Sequence, residues 1–261
     1  MLILKVDKEK KITVMIQART GSTRFPKKTL AKINNKPMIW YVINRVKMIK
    51  SVEQIALITT RKKSDKILLK IAKENNIIGF SGDVHDLLSR HYECALKINA
   101  DPIIRITSDC PLTDPKLVEK ILKFYLNNNY DYVSNVIKPS YPDGLDIEIF
   151  SLSALKKAVK NAKLMSEREH ITPYFIKNSN KFKLYNIENK KNLSHLRWTV
   201  DQIEDIKFIR KIYSKMKPKT IFSMNDILKI ICNEPKLQKI NQKYNRNEGY
   251  AKSLKNDRKI K

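Results

Sequence analysis

In the first half of the chain, short apolar runs rich in β-branched residues alternate with longer segments whose apolar positions recur at helical spacing. The pattern predicts strands over 12–16, 54–60, 77–80 and 103–107. Between them it predicts helices over 37–49, 64–75, from 84 onward and over 115–127, the last with Pro115 at an early helical position. In the third of these, Val84, Leu87, Leu88, Ala95 and Ile98 fall near one face. Strands this apolar do not face water, so the alternation implies an α/β fold with a mostly parallel sheet and helices on both sides, three layers in all. The second half is less regular. It predicts strands over 132–136, 147–150, 183–187 and 197–200, and helices over 152–162, 168–177, 204–216 and 224–232. No linker, repeat or composition break divides the chain, so 1–235 read as a single α/β domain. Residues 236–261 read as a basic C-terminal tail: nine Lys/Arg against two acids and no apolar periodicity, expected to be partly ordered.

Composition narrows the class. Of 261 residues, 53 are Lys or Arg and 26 are Asp or Glu, a formal net charge of +27, yet 42% are hydrophobic. That apolar content argues against a disordered basic protein. The charge invites a nucleic-acid partner, but no zinc-finger, RRM or helix-turn-helix signature supports a specific one. Cys94, Cys110 and Cys232 are scattered, without CxxC spacing, and imply neither a disulfide framework nor a zinc site. Charges from Asp7 to Lys11 interrupt the apolar start, and other apolar runs are far below the ~20 residues of a bilayer span. The expectation is a cytoplasmic protein with no membrane insertion.

Candidate chemistry begins after the first strand, at Gln17-Ala18-Arg19-Thr20-Gly21-Ser22-Thr23-Arg24-Phe25-Pro26-Lys27-Lys28. Four cations, a glycine and several hydroxyls stand where open α/β sheets bind ligands, at a strand's carboxyl end. The segment is neither GxxxxGK[ST] nor GxGxxG. It meets a similar need, because each cation close to a triphosphate contributes up to about 4 kcal/mol gross at an effective dielectric of about 20. Gly21 would let backbone N–H groups approach phosphate. The alternative is a solvated basic loop. Against it, this Lys-rich chain places Arg19 and Arg24 here, and Arg carries the planar fork suited to phosphate.

Two further segments end in acids: 103–109, reading IIRITSD, and 197–201, reading RWTVD. Carboxylates at the lip of a sheet can hold Mg²⁺, which takes one or two of them plus substrate phosphates. The alternative is that Asp109 and Asp201 are helix N-caps. Their coincidence with the basic loop tips the reading toward metal-assisted phosphoryl transfer.

The stretches IQARTGSTRFPKKTL (16–30), FSGDVHDLLSRHYECA (80–95), IIRITSDCPLTDP (103–115), YPDGLDIEIF (141–150), SEREHITPYF (166–175) and LRWTVDQIEDI (196–206) are collinear and span nearly all of the chain ahead of the tail. Together they resemble the cytidylyltransferase family that includes the acylneuraminate and Kdo cytidylyltransferases, nearest to its SpsF-type spore-coat polysaccharide branch. The resemblance implies a Rossmann-like, nucleotide-diphospho-sugar-transferase-like fold, a homodimer, and CMP transfer from CTP to an acidic sugar or sugar-like acceptor with release of pyrophosphate. By that likeness Arg19 and Lys28 bind the triphosphate, and Asp109 and Asp201 are the Mg²⁺ ligands. Ala18, Gly21, Arg24, Lys27, Gly82, Thr107 and Ser108 complete the expected nucleotide site, with Thr60 and Arg61 near the base.

Asp143, Gly144, Asp146 and Glu148, with Arg168, Glu169 and His170, resemble the family's acceptor side. Arg168 would grip an anionic group and His170 would act as donor or base. The alternative for these residues is an ion-pair network bracing the sheet edge. The sequence departs from the family at two points. Lys27 stands where Gly commonly precedes the lysine, which makes both Lys27 and Lys28 candidates for the phosphate contact, and Ser81 stands where Arg is usual before Gly82. His85 and His91 read as exposed-face residues of the third helix. A metal-dependent glycosyltransferase of the same fold class is the alternative enzyme, but Ser108-Asp109-Cys110 lacks its second Asp.

Overall fold

The computed structural model describes residues 9–246, 248, 254 and 257–259. Strand β1 (Lys11–Gln17) opens the fold, and a short hairpin of β2 (Lys32–Ile33) and β3 (Lys36–Pro37) leads into helix α1 (Met38–Val46). Regular βα units follow: β4 (Gln54–Thr60), α2 (Lys66–Glu74), β5 (Ile78–Gly82), α3 (Leu87–Ile98), β6 (Ala100–Thr107) and α4 (Pro115–Leu126). The second half contains β7 (Tyr132–Ser134), β8 (Glu148–Phe150), α5 (Leu152–Asn161), α6 (Met165–Glu169), α7 (Ile171–Lys177), β9 (Leu184–Asn186), α8 (Ile203–Lys215) and α9 (Met224–Asn233).

Seven strands form one sheet in the order β5-β4-β1-β6-β8-β7-β9. The pairings are parallel except those of β8, which runs antiparallel to β6 and β7. The pleat sends alternate residues to opposite faces. Val14, Ile16, Leu57, Ile104 and Ile106 join α1, α2, α4, α8 and α9 in one core. Met15, Ala56, Ile58 and Ile103 join α3, α5 and α7 in the other. This is the three-layer arrangement that the apolar pattern implied. No helix among the described residues is long and apolar enough to cross a membrane.

Three local expectations are corrected. Residues 197–200 form no strand: Arg197 makes one isolated bridge to Asp143, and Val200 N donates to Asp109 O at 2.9 Å. The segment is extended because it crosses the carboxyl ends of the strands and bonds to their loops. The helix expected over 168–177 breaks at His170, whose backbone is extended (φ −131°, ψ 113°). Pro173 has no N–H to donate back to Glu169, and the break places the proline in the first turn of a new helix, where none is needed. His91 is fully buried. Its position, four residues after Leu87 and three after Leu88, puts it on the apolar face of α3.

Chain beyond α9 remains packed at first. Pro235–Ile240 forms a 3-10 helix with Leu237 buried, and the buried Asn241 amide donates to Arg197 O (3.0 Å) and Asp205 Oδ1 (2.9 Å). The partial order expected for residues 247, 249–253, 255–256 and 260–261 lies outside the described residues.

Candidate active site

The carboxyl ends of β1 and β6 open into a cleft of about 1080 Å³. It brings together Ala18, Arg19, Gly21, Arg24 and Lys28 from the loop after β1, and Thr107, Ser108 and Asp109 from the end of β6. Asp143, Asp146, Glu148, Glu169, His170 and Asp201 face them. Lys27, Thr60, Arg61, Gly82, Gly144 and Arg168 do not line it.

The basic loop is pinned from both sides. Thr20 donates through its N–H and Oγ1 to Asp65 Oδ1 (2.8 and 2.6 Å), and Thr60 Oγ1 donates to the other oxygen of Asp65. Thr60 is therefore a clamp beneath the loop, and Arg61 is exposed, 3.8 Å from Glu93. Thr29 Oγ1 donates to Arg19 O at 3.0 Å. Lys27 adopts the left-handed region (φ 56°, ψ 25°), a conformation that favours glycine. It leaves the Lys27 side chain exposed and turns Lys28 into the cleft.

Lys28 Nζ donates to Asp109 Oδ2 (2.7 Å), Asp201 Oδ1 (2.6 Å) and Val200 O (2.9 Å), and Arg24 lies 2.9 Å from Asp201 Oδ2. Burial acts to lower the lysine's pKa, but the two carboxylates raise it above its ordinary value. Burial likewise acts to raise Asp109, and Lys28 brings it down to about 2. Neither Asp is an N-cap. Asp114 caps α4, and Asp205 takes the N–H groups of Asp201 and Gln202 at the start of α8, each at 2.9 Å. Two carboxylates and a carbonyl thus surround one positive charge, a hard-oxygen donor set that fits Mg²⁺ when substrate phosphates complete it. Among the described residues no group of three or more His, Cys, Asp or Glu could hold a metal by itself.

The facing wall is built from charge pairs. Arg197 donates to both oxygens of the fully buried Asp205 (2.9 Å each) and to Asp143 (3.2 Å). Gly144 sits at φ +107°, where an added Cβ would lie 2.5 Å from Thr199 N. Arg246 bonds to Asp146 and lies 3.8 Å from Asp143, while Glu248 lies 3.3 Å from Arg24. Burial, aided by Asp146, pushes Asp143 up to about 7. On the floor, Arg105 of β6 stands directly opposite Glu148 of β8 and bonds to it; its Nε donates to Gln17 Oε1 at 2.7 Å. His170 is held below the ordinary imidazole range by burial, with Glu169 opposing and Arg105 and Arg19 assisting.

Arg168 pairs with Asp86 (3.1 Å) and donates to Ser89 Oγ (3.1 Å), so it ties α6 to the start of α3, the bracing role. A Cβ on Gly82 would lie 2.8 Å from Cγ of Arg90, which lines the cleft and donates to Asp83 O and Val84 O. Arg90 thereby brings a cation toward the region where Ser81 supplies none. Sequence reasoning missed Arg90, Arg105, Arg197, Asp205, Arg246 and Asp65 as site-building residues. A charge inside an apolar run marked Arg105, whereas nothing local marked Arg246. Among the described residues seven Arg/Lys and seven Asp/Glu line the cleft, so its described lining adds nothing to the net charge of +27.

A family profile described as Cytidylyltransferase matches residues 13–247. An uncharacterized protein of Methanocaldococcus jannaschii is 35% identical over 235 residues, covering 88% of this chain and 94% of its own length. The spore coat polysaccharide biosynthesis protein SpsF of Bacillus subtilis is 24% identical over 233 residues, 86% of this chain and 95% of its own. The structure of a cytidylyltransferase from Leptospira borgpetersenii superposes with a TM-score of 0.86 at 33% identity, covering 91% of this chain and all of that one.

Proposed function

The chain belongs to the cytidylyltransferase family, and on that premise we propose that it transfers CMP from CTP to a sugar acid or related acceptor in surface polysaccharide or glycan synthesis. The observation that carries this reading is Lys28 Nζ held between Asp109 and Asp201 at the foot of the Arg19–Arg24 loop. An acceptor oxygen attacks the α-phosphorus, the bond to the bridging α–β oxygen breaks, and pyrophosphate leaves. Arg19, Arg24 and Lys28 stabilise charge on the triphosphate, the kind of fixed electrostatic contribution that dominates such transfers. Asp109 and Asp201 would hold Mg²⁺, which supplies charge neutralisation at the phosphates when bound. His170, whose charged form burial disfavours, would take the acceptor's proton or donate a hydrogen bond to it.

The test is a screen of CTP, ATP, GTP and UTP against 3-deoxy-manno-octulosonate and N-acetylneuraminate, with and without Mg²⁺, reading pyrophosphate and product mass. The expected result is a CMP-linked product from CTP, dependent on Mg²⁺. Absence of any product from CTP, with wild-type protein shown to be folded, would overturn the proposal.

A further inference from the structure

Two arginines, the buried Arg45 and the half-buried Arg105, are held in different ways. Arg45 is fully buried and spends its donors on backbone, with Nε to Thr113 O (2.6 Å), Nη1 to Thr220 O (3.0 Å) and Nη2 to Phe222 O. Those bonds tie three segments together and leave nothing for a ligand. Arg105 is arranged otherwise. Its Nε is taken by Gln17 and its Nη1 by Glu148, with Thr172 Oγ1 at 3.4 Å. Nη2 has no hydrogen-bond partner among the described residues, and the residue lines the cleft. Glu148 is itself committed. Besides Arg105 it accepts from Tyr132 OH (3.0 Å) and from Thr172 Oγ1, and its side chain is only 2% exposed. Although it lines the cleft, its carboxylate is spent on these partners and leaves little surface for a substrate.

We propose that Arg105 binds the carboxylate of the acceptor through Nη2, and that Glu148 is a positioning residue that aims the guanidinium. The inference rests on the acceptor being a sugar acid, as proposed above. Register supports it: Arg105 and Glu148 are direct partners across the antiparallel β6–β8 pair, on the floor between Thr107 and the α6–α7 wall. Glu148 also sustains the charge, since burial disfavours the guanidinium and the carboxylate more than restores it. A guanidinium held by two partners loses little further freedom on binding a carboxylate, and a charge-assisted bond from it discriminates against a neutral isostere.

The experiment compares 3-deoxy-manno-octulosonate and N-acetylneuraminate with their C1-amides, which keep the attacking hydroxyl and lose the charge. Wild type is expected to prefer each acid over its amide by roughly 10- to 100-fold in kcat/KM, the worth of one charge-assisted bond. The double variant Arg105→Gln/Glu148→Gln removes both buried charges together. It should compress that preference to about threefold or less with the KM for CTP unmoved, an outcome a purely structural ion pair does not produce. If the double variant fails to fold, Arg105→Lys, which keeps a charge opposite Glu148, serves instead and should weaken the preference several-fold. A preference unchanged in the folded variant, or product formation by wild type with no preference for the acid, overturns the assignment and leaves the nucleotidyltransferase reading standing. No product from CTP with either acid overturns both.

Discussion

The two sides of the sheet reach the cleft by different means. From β5 to β6 the strands run one way, so the loop after β1 and the turn after β6 arrive at a common rim through backbone direction alone. Across β6 the sheet turns to the antiparallel β8 and three-residue strands, and the wall is held by ion pairs: Arg105–Glu148, Arg197 with Asp143 and Asp205, Arg246–Asp146. One side places its chemistry on a scaffold that stands without that chemistry. The other uses charged side chains as the scaffold. Substitutions should therefore separate activity from stability on the first side and join them on the second.

The largest effect is expected at the rim and at Asp201, which meets it from the facing segment through Lys28. Asp109→Asn or Asp201→Asn should lower pyrophosphate release by roughly 10³-fold, with a thermal midpoint close to wild type, read by circular dichroism. Retained turnover in both would remove the carboxylate pair from the reaction, and a large loss of stability would erase the contrast between the two sides. Next comes Arg197→Met, which leaves Asp205 buried without its partner. A loss of about 3 kcal/mol in denaturant unfolding is expected; a change below about 1 kcal/mol would show that the pairs do not support their wall.

The scaffold side has its own pH sensitivity. Burial brings the imidazole of His91 from 6.5 down to about 3. Between those values the unfolded chain binds a proton that the folded chain refuses, so stability falls as pH drops through 6.5 toward 3. The slope approaches about 1.4 kcal/mol per pH unit, and His91→Gln should remove that component from the pH dependence of unfolding. The smallest effect expected is at Lys27, where Lys27→Gly relieves a left-handed backbone and should stabilise by about 1 kcal/mol with turnover retained. Destabilisation instead would mean that the lysine side chain itself holds the loop.

Legibility followed the same division. The strand over 54–60 and the helix starting at Pro115 were visible because a short apolar, β-branched run and a period-3.6 pattern are both local. So was the loop chemistry of Arg19 to Lys28, which needs only contiguous residues. His91 is legible in principle from its spacing to Leu87 and Leu88, although polarity alone puts it on the exposed face. The expected strand at 197–200 failed because extended chain bonded to loops has the same sequence signature as extended chain bonded to a strand. The facing wall was legible only in outline. Its residues meet across separations of 43 for Arg105–Glu148 and 100 for Arg246–Asp146.

By itself the sequence determined the layer architecture, the basic loop at a strand's end and the pair of acids suited to a metal, because each depends on neighbours within a few residues. It also carried the family likeness through collinear motifs. Only the tertiary structure decided that Lys28 and not Lys27 enters the cleft, that Asp109 and Asp201 share one cation, and that Arg168 braces while Arg105 faces the open floor. Those outcomes depend on backbone handedness at one residue and on which distant charges are buried together. Burial makes the pairing of such charges obligatory, and chain order does not encode it.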